Sequence, residues 1–90
     1  MKYDKPDRNE LLPELYRKFI DHIGNFRVVH AKAFYSSRNV INGLKFFLEG
    51  DNRWLLLRSS ETEPIVRIYA EGQSEGEVKQ LLLYGRTLFN

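Results

Sequence analysis

Hydrophobic residues near the N-terminus repeat at the spacing of an amphipathic helix. Alternating steps of one and three place these residues on one stripe: Leu11, Leu12, Leu15, Tyr16, Phe19, Ile20 and Ile23. Pro13 suits the first turn, where a missing N–H matters least, and Gly24-Asn25 supplies a left-handed stop. The pattern predicts a helix from about Glu10 to Ile23, after a polar segment 1–7 that we expect to be frayed.

Extended structure is favoured through the middle of the chain. β-Branched and aromatic residues without a helical stripe predict four strands, separated by polar or turn-forming segments: 26–35, 44–49, 53–58 and 65–71. In the last of them, Val66, Ile68 and Ala70 alternate with polar positions, as in a strand with one buried face. The segment 36–43 is predicted to be a loop.

A second helix is predicted near the C-terminus. Ser74 and Glu77 have the spacing of a capping box, in which each side chain bonds the other residue's backbone. One apolar stripe follows: Val78, Leu81, Leu82, Tyr84 and Phe89. Helix, four strands and helix in this order indicate an α+β domain, with a four-stranded antiparallel sheet and two helices packed on one face.

Composition fits one globular domain over residues 1–90. The share of apolar residues is 42% and that of charged residues is 29%, which is ordinary for a folded protein. The net charge is only +2, with both signs mixed along the chain, so composition does not favour nucleic acid. No cysteine, no apolar run long enough for a membrane span and no signal peptide are present, and we expect a cytoplasmic protein.

Motifs of catalysis and metal binding are missing from the sequence. His22 and His30 fall on different predicted elements, without metal-ligand spacing. Nucleophile-elbow, zinc-helix and phosphate-loop patterns are also absent. We therefore expect no catalytic residue and no metal or cofactor site within this chain.

One polar segment, residues 58–64 followed by Arg67, has the composition of an anion site. Three hydroxyl side chains and several loop N–H groups come together there, and successive loop amides can hold an anion. If the flanking strands pair antiparallel, Arg58 and Arg67 flank the loop mouth, and guanidinium groups match phosphate oxygens. The segment predicts a site for a phosphate monoester; the alternative is a solvated polar loop with two surface arginines.

Residues 57–71 resemble the phosphate-binding signature of the α-D-phosphohexomutases, the phosphoglucomutases and phosphomannomutases. In that family the C-terminal domain carries Arg-Pro-Ser-Gly-Thr-Glu-Pro and a second arginine at the same distance. The detailed resemblance covers about 44–89, with a looser match for the first helix. It implies a fold like the TATA-binding-protein domain, with a four-stranded antiparallel sheet and two helices on one side.

The resemblance also implies roles for individual residues of the loop. Arg58, Ser60 and Thr62 would hold the phosphate that is not being transferred, with the backbone amide of Glu61 and the second arginine, Arg67. Two positions depart from the family pattern. Ser59 stands where proline is usual and Glu61 where glycine is usual, and the added carboxylate is expected to weaken the affinity of the site for a dianion.

The remaining machinery of such an enzyme lies in three other domains, as the resemblance implies: a phosphoserine, a Mg²⁺-binding loop and a sugar-selecting loop. The chain is then the C-terminal domain of a longer protein, inactive alone. The parent enzyme moves a phosphoryl group between C1 and C6 of a hexose phosphate and uses Mg²⁺ and a bisphosphorylated hexose activator. The expected partners are the hexose phosphate and the other domains, without nucleic acid or membrane.

Two other functions are compatible with the predicted sheet. A stand-alone protein-interaction module would use an exposed apolar face with Phe47, Trp54 and Leu56. An RNA-binding sheet would need exposed aromatic residues with lysines among them, to stack bases and hold phosphates. The last two predicted strands offer other residues on that face: Arg58, Arg67, Tyr69 and Glu71.

Overall fold

Helix, five strands and helix follow one another in the computed structural model, which describes residues 8–60 and 65–88. The elements are α1 (Arg8–Arg17), β1 (His22–Ile23), β2 (Phe26–Tyr35), β3 (Ile41–Leu48), β4 (Trp54–Ser59), β5 (Val66–Glu71) and α2 (Glu75–Thr87). Each strand pairs antiparallel with the next, in the order β1-β2-β3-β4-β5. The α+β class is confirmed and the count of four strands is wrong. The predicted frayed segment 1–7 and Phe89 lie outside the described residues.

Both helices pack against one face of the sheet, because alternate strand residues on that face are apolar. The buried cluster combines helix and sheet side chains: Leu12, Leu15, Ile23, Leu44, Phe46, Leu48, Leu55, Leu57, Val66 and Leu81. Full burial of such a side chain stabilises the fold by about 1.5–3 kcal/mol. The residues between them on β2 to β5 form the opposite face, which no described helix covers and which we call the open face.

The fifth strand comes from residues that the helical pattern assigned to the first helix. Helix α1 ends at Arg17, and Phe19 takes a left-handed conformation with φ of 51°. Ile23 then pairs with Phe26 across a two-residue turn whose first residue, Gly24, has φ of +59°. Glycine at this place is typical of hairpin turns. The predicted helix stop is therefore a hairpin turn, and pairing with β2 overrides the helical pattern of residues 20–23.

The position of Pro13 within α1 and the first residue of β3 also differ from the prediction. Pro13 lies inside α1 rather than in its first turn, so the helix lacks one backbone donor there. Strand β3 begins at Ile41, not at Leu44, because the connection from β2 is a tight turn. In that turn the Ser36 N–H donates to the Val40 carbonyl at 2.8 Å. The two strands can therefore pair directly after the turn.

Helix α2 begins with half of the predicted capping box. The Glu77 N–H donates to Ser74 Oγ at 3.1 Å, as predicted. The Glu77 carboxylate accepts a hydrogen bond from the Gln73 N–H at 3.1 Å, not from Ser74. The difference follows from Arg53, which draws the carboxylate toward the start of β4.

Arg53 and Glu77 form a two-contact ion pair between β4 and α2. Arg53 Nε donates to Glu77 Oε1, and Arg53 Nη2 donates to Glu77 Oε2 at 3.1 Å. Their side chains are only 20% and 15% exposed, and the guanidinium lies 5.3 Å from the centroid of the Phe26 ring. The hydrogen bond from Arg53 holds the pKa of Glu77 below its ordinary value of 4.5, and the bond from Gln73 adds to this.

Replacing Glu77 with glutamine should lower stability at neutral pH and flatten its acid dependence. A carboxylate whose folded-state pKa is depressed stabilises the fold above its unfolded pKa, and that contribution disappears as pH falls through the folded value. The wild type should therefore be more stable than Glu77→Gln at pH 7, with the difference shrinking below about pH 4.5. Thermal unfolding at both pH values measures it. Glu75→Gln, on the same helical turn, is the control; a difference of equal size at pH 7 and pH 3 would contradict this account.

No helix among residues 8–60 and 65–88 has the length and apolarity that crossing a membrane requires. The likeness to the TATA-binding-protein domain stays a prediction.

Candidate anion-binding site

Arg58 and Arg67 lie directly opposite each other, one pair before the Ser59–Val66 pair that ends the pairing of β4 and β5. The register pairs Arg58 with Arg67, while the preceding pair, Leu57 with Ile68, belongs to the core face. Successive side chains of a strand point to opposite faces, so both arginines stand on the open face. Both are exposed to solvent. The antiparallel pairing predicted for these two strands is confirmed.

Electrostatic repulsion between the two arginines destabilises the protein when no ligand is bound. Like charges directly opposite each other in an antiparallel pair are destabilising, typically by a few tenths to about 1 kcal/mol. Within the described residues, neither guanidinium forms an ion pair. Two guanidinium forks that share no carboxylate are suited to a bidentate anion such as phosphate, which would relieve the repulsion between them.

A loop begins where these two arginines stand. The Ser60 N–H donates to the Ile65 carbonyl at 3.1 Å, which closes the base of the loop. Ser59 Oγ donates to the Asn42 carbonyl at 3.5 Å, so this hydroxyl is turned toward β3. A surface depression of about 320 Å³ lies beside the loop, lined by Arg58, Ser59, Ser60, Arg67 and Tyr69. Glu61 and Thr62, the other two predicted site residues, lie outside the described residues.

Two residues near the site were not among the predicted ones. Tyr69 is 43% exposed and lines the depression two residues after Arg67, on the same face of β5. Arg38 lies in the β2–β3 turn, at the same end of the sheet as the 60–65 loop. The alternation of apolar and polar residues in β5 indicates from the sequence that Tyr69 lies on the same face as Arg67. Arg38 has no comparable signal, because only the strand order brings the two loops to one end.

Neither histidine belongs to the candidate site. His22 lies in β1 rather than on the first helix, with Nδ1 3.2 Å from Asp21 Oδ1. His30 is exposed on β2, and its ring centroid is 5.6 Å from that of Phe47. Across the part of the chain that the structure describes, no group of three or more histidine or acidic side chains is placed to hold a metal ion.

The open face also carries lysines among aromatic rings. Lys45 Nζ lies 4.9 Å from the Phe47 ring centroid and 4.4 Å from that of Trp54. Lys32 Nζ lies 5.2 Å from the centroid of Phe34. The sequence argument against RNA rests on the residues of β4 and β5, whereas β2 and β3 carry lysines beside aromatic rings.

Comparison with known proteins identifies the chain over most of its length. The family model described as phosphoglucomutase/phosphomannomutase, C-terminal domain, matches residues 13–83. The match runs from the middle of α1 into α2 and includes both arginines of the candidate site. No curated protein matches the chain.

Proposed function

We propose that this chain, which belongs to the family of phosphoglucomutase and phosphomannomutase C-terminal domains, binds a phosphate group of a hexose phosphate between Arg58 and Arg67. The substrate phosphate is the one that is not being transferred. Ser60, Thr62 and the backbone amide of Glu61 complete the proposed site. The parent mutase moves a phosphoryl group between C1 and C6 of the sugar.

The observation that carries this proposal is the register of β4 and β5. It places two exposed arginines opposite each other at the mouth of one loop, where their mutual repulsion favours a bound dianion. A bound phosphate offers three or more acceptor oxygens, enough for both guanidinium groups at once.

Binding at a remote phosphate suits a reaction in which the sugar must present either end. The interaction energy of the non-reacting phosphate is used to position the reacting one. Since C1 and C6 exchange roles, a site that contacts only the phosphate accepts both orientations of the substrate. Phosphoryl transfer itself depends mainly on positioning and charge stabilisation. The acceptor serine, the Mg²⁺ and the bisphosphorylated activator are proposed to act through the other domains of the parent chain, and turnover by this chain alone is not expected.

Titration with inorganic phosphate, followed by backbone amide NMR, tests the proposal. The amides of Ser60 and Ile65 and the Nε–H groups of Arg58 and Arg67 should shift together, with a Kd in the millimolar range, corresponding to about 4 kcal/mol. Amides of Glu61 and Thr62 should follow the same curve. Sodium chloride at matched ionic strength is the control. Shifts confined to α1 and α2 would contradict the proposed site.

A further inference from the structure

The open face carries more positive charge than the rest of the molecule. The strand register aligns its residues in three rows across β2 to β5: His30, Phe47, Trp54 and Glu71; Lys32, Lys45, Leu56 and Tyr69; Phe34, Gly43, Arg58 and Arg67. Four cations and one carboxylate lie in these rows, whereas the other residues of the chain include ten basic and eleven acidic side chains. The net charge of +2 therefore averages a positive face with a nearly neutral remainder, and cations clustered on one face are the charge distribution that nucleic-acid binding requires.

Aromatic rings lie in each of these rows: Phe34, Phe47, Trp54 and Tyr69. Phe34 is 38% exposed and lies over the backbone of β3, where its Cβ is 3.1 Å from the place that a Cβ of Gly43 would take. Trp54 Nε1 donates to a carboxylate oxygen of Glu71 at 2.6 Å, and this bond holds the indole ring in one orientation. The face therefore presents ordered aromatic rings among its cations.

Both lysines of the middle row lie against these rings. Lys32 Nζ is 5.2 Å from the centroid of Phe34, and Lys45 Nζ is 4.9 Å from that of Phe47 and 4.4 Å from that of Trp54. In residues 8–60 and 65–88, neither lysine forms an ion pair. An ammonium group at an exposed ring contributes less free energy than a base stacked on the same ring. A base can therefore displace the ammonium group, and the flexible lysine side chain can then contact a phosphate of the same strand.

We propose that the open face binds a single strand of nucleic acid. Bases stack on Phe34 and Trp54, and backbone phosphates contact Lys32, Lys45 and the arginine pair. The two rings are two rows apart, about 13 Å in the strand direction, with the lysine row between them. Because the rings and the lysines lie outside the hexose phosphate site, this binding goes beyond the proposed function and does not depend on it.

Other polyanions make less use of this face. A duplex keeps its bases stacked on each other inside the double helix, so the aromatic rings of the sheet gain no partner from it. An acidic peptide pairs with the cations and does not need the rings. Stacking and phosphate contacts are available to every nucleotide, so binding should depend little on base sequence.

Trp54 is the one tryptophan of the chain, so its fluorescence measures binding directly. Octanucleotides of uridine and of thymidine should quench it, with a Kd that rises steeply with salt concentration. On single strands each phosphate contact contributes about 0.7 to the slope of log K against log salt. Lys32→Gln/Lys45→Gln should therefore reduce that slope by about 1.4 and weaken binding roughly tenfold or more in about 0.1 M salt. Phe34→Leu should weaken binding roughly fivefold and leave the slope unchanged, because it removes stacking and no charge.

Lys18→Gln/Lys79→Gln is the matched control, since it removes the same charge from two exposed positions outside the open face, and its affinity should stay within about twofold of wild type. Binding of either octanucleotide supports the proposal, and the ratio of the two affinities distinguishes RNA from single-stranded DNA. Any of three results would overturn it: no quenching at low salt, an equal loss of affinity in the two double variants, or equally tight binding of a DNA duplex or of oligoglutamate.

The hexose phosphate site is tested separately. The amides of Ser60 and Ile65 should still shift with inorganic phosphate in Lys32→Gln/Lys45→Gln, because that variant keeps both arginines. If the octanucleotides fail to bind and these shifts remain, the proposed function stands without the nucleic-acid surface. If the octanucleotides bind and phosphate causes no shifts in the wild type, the nucleic-acid surface stands and the proposed function fails.

Discussion

Arg58→Ala should weaken phosphate binding by about ten- to one hundredfold and leave the fold at least as stable as before. Hydrogen bonds to charged groups contribute about 1.5–3 kcal/mol each, and a factor of ten in affinity is about 1.4 kcal/mol. The variant also removes one of two like charges that face each other across β4 and β5, so the free energy of unfolding should not fall. Phosphate titration by NMR and thermal unfolding measure the two effects separately.

Two further variants test whether phosphate affinity depends on the shape and position of the Arg58 side chain and not on positive charge alone. Arg58→Lys keeps the charge but not the planar fork, and its affinity should lie between those of wild type and Arg58→Ala. Arg86→Ala removes an exposed arginine from α2, which packs on the other face of the sheet, and should leave the affinity for phosphate unchanged. Arg53 is a poor control because it is paired with Glu77. Unchanged affinity in Arg58→Ala would show that the arginine pair is not the phosphate site.

The arginine pair was predictable because short sequence patterns indicate both the face of a strand on which a residue lies and the strands that pair with each other. Val66, Ile68 and Ala70 fix the buried face of β5, and this places Arg67 on the other face. The short polar segment between β4 and β5 requires them to pair antiparallel, which brings Arg58 opposite Arg67. Local spacing therefore determined this geometry, with the family resemblance supplying its interpretation.

The end of the first helix was not predictable from the same kind of pattern. Residues 20–23 fit a helical stripe and a short strand equally well, since Ile23 is buried in either. The choice depends on pairing with β2, a contact between segments that one-dimensional periodicity does not record. The partner of Glu77 was missed for a related reason. A capping box is local, whereas Arg53 is 24 residues away in sequence and reaches α2 only through the fold.

The Gly24 turn carries the largest expected effect on stability. Gly24→Ala should lower the free energy of unfolding by about 2–4 kcal/mol, of which about 1 kcal/mol is the left-handed backbone and the rest is overpacking. Gly24 has φ of +59°, and an added Cβ would overlap the ring of Tyr84 on α2. For a domain of this size the midpoint of thermal unfolding should fall by roughly 10–25 °C.

Gly76→Ala is the matched control, because it adds the same methyl group where there is room. The nearest atom to its Cβ would be Ser74 Oγ at 4.0 Å, and alanine favours the helix, so stability should rise by roughly 0.5 kcal/mol. The Tyr84→Leu background separates the two causes at position 24. Without the tyrosine ring at this place, Gly24→Ala should cost only about 1 kcal/mol, the backbone strain alone. An equal cost in both backgrounds would show that the hairpin turn, and not its packing against α2, requires the glycine.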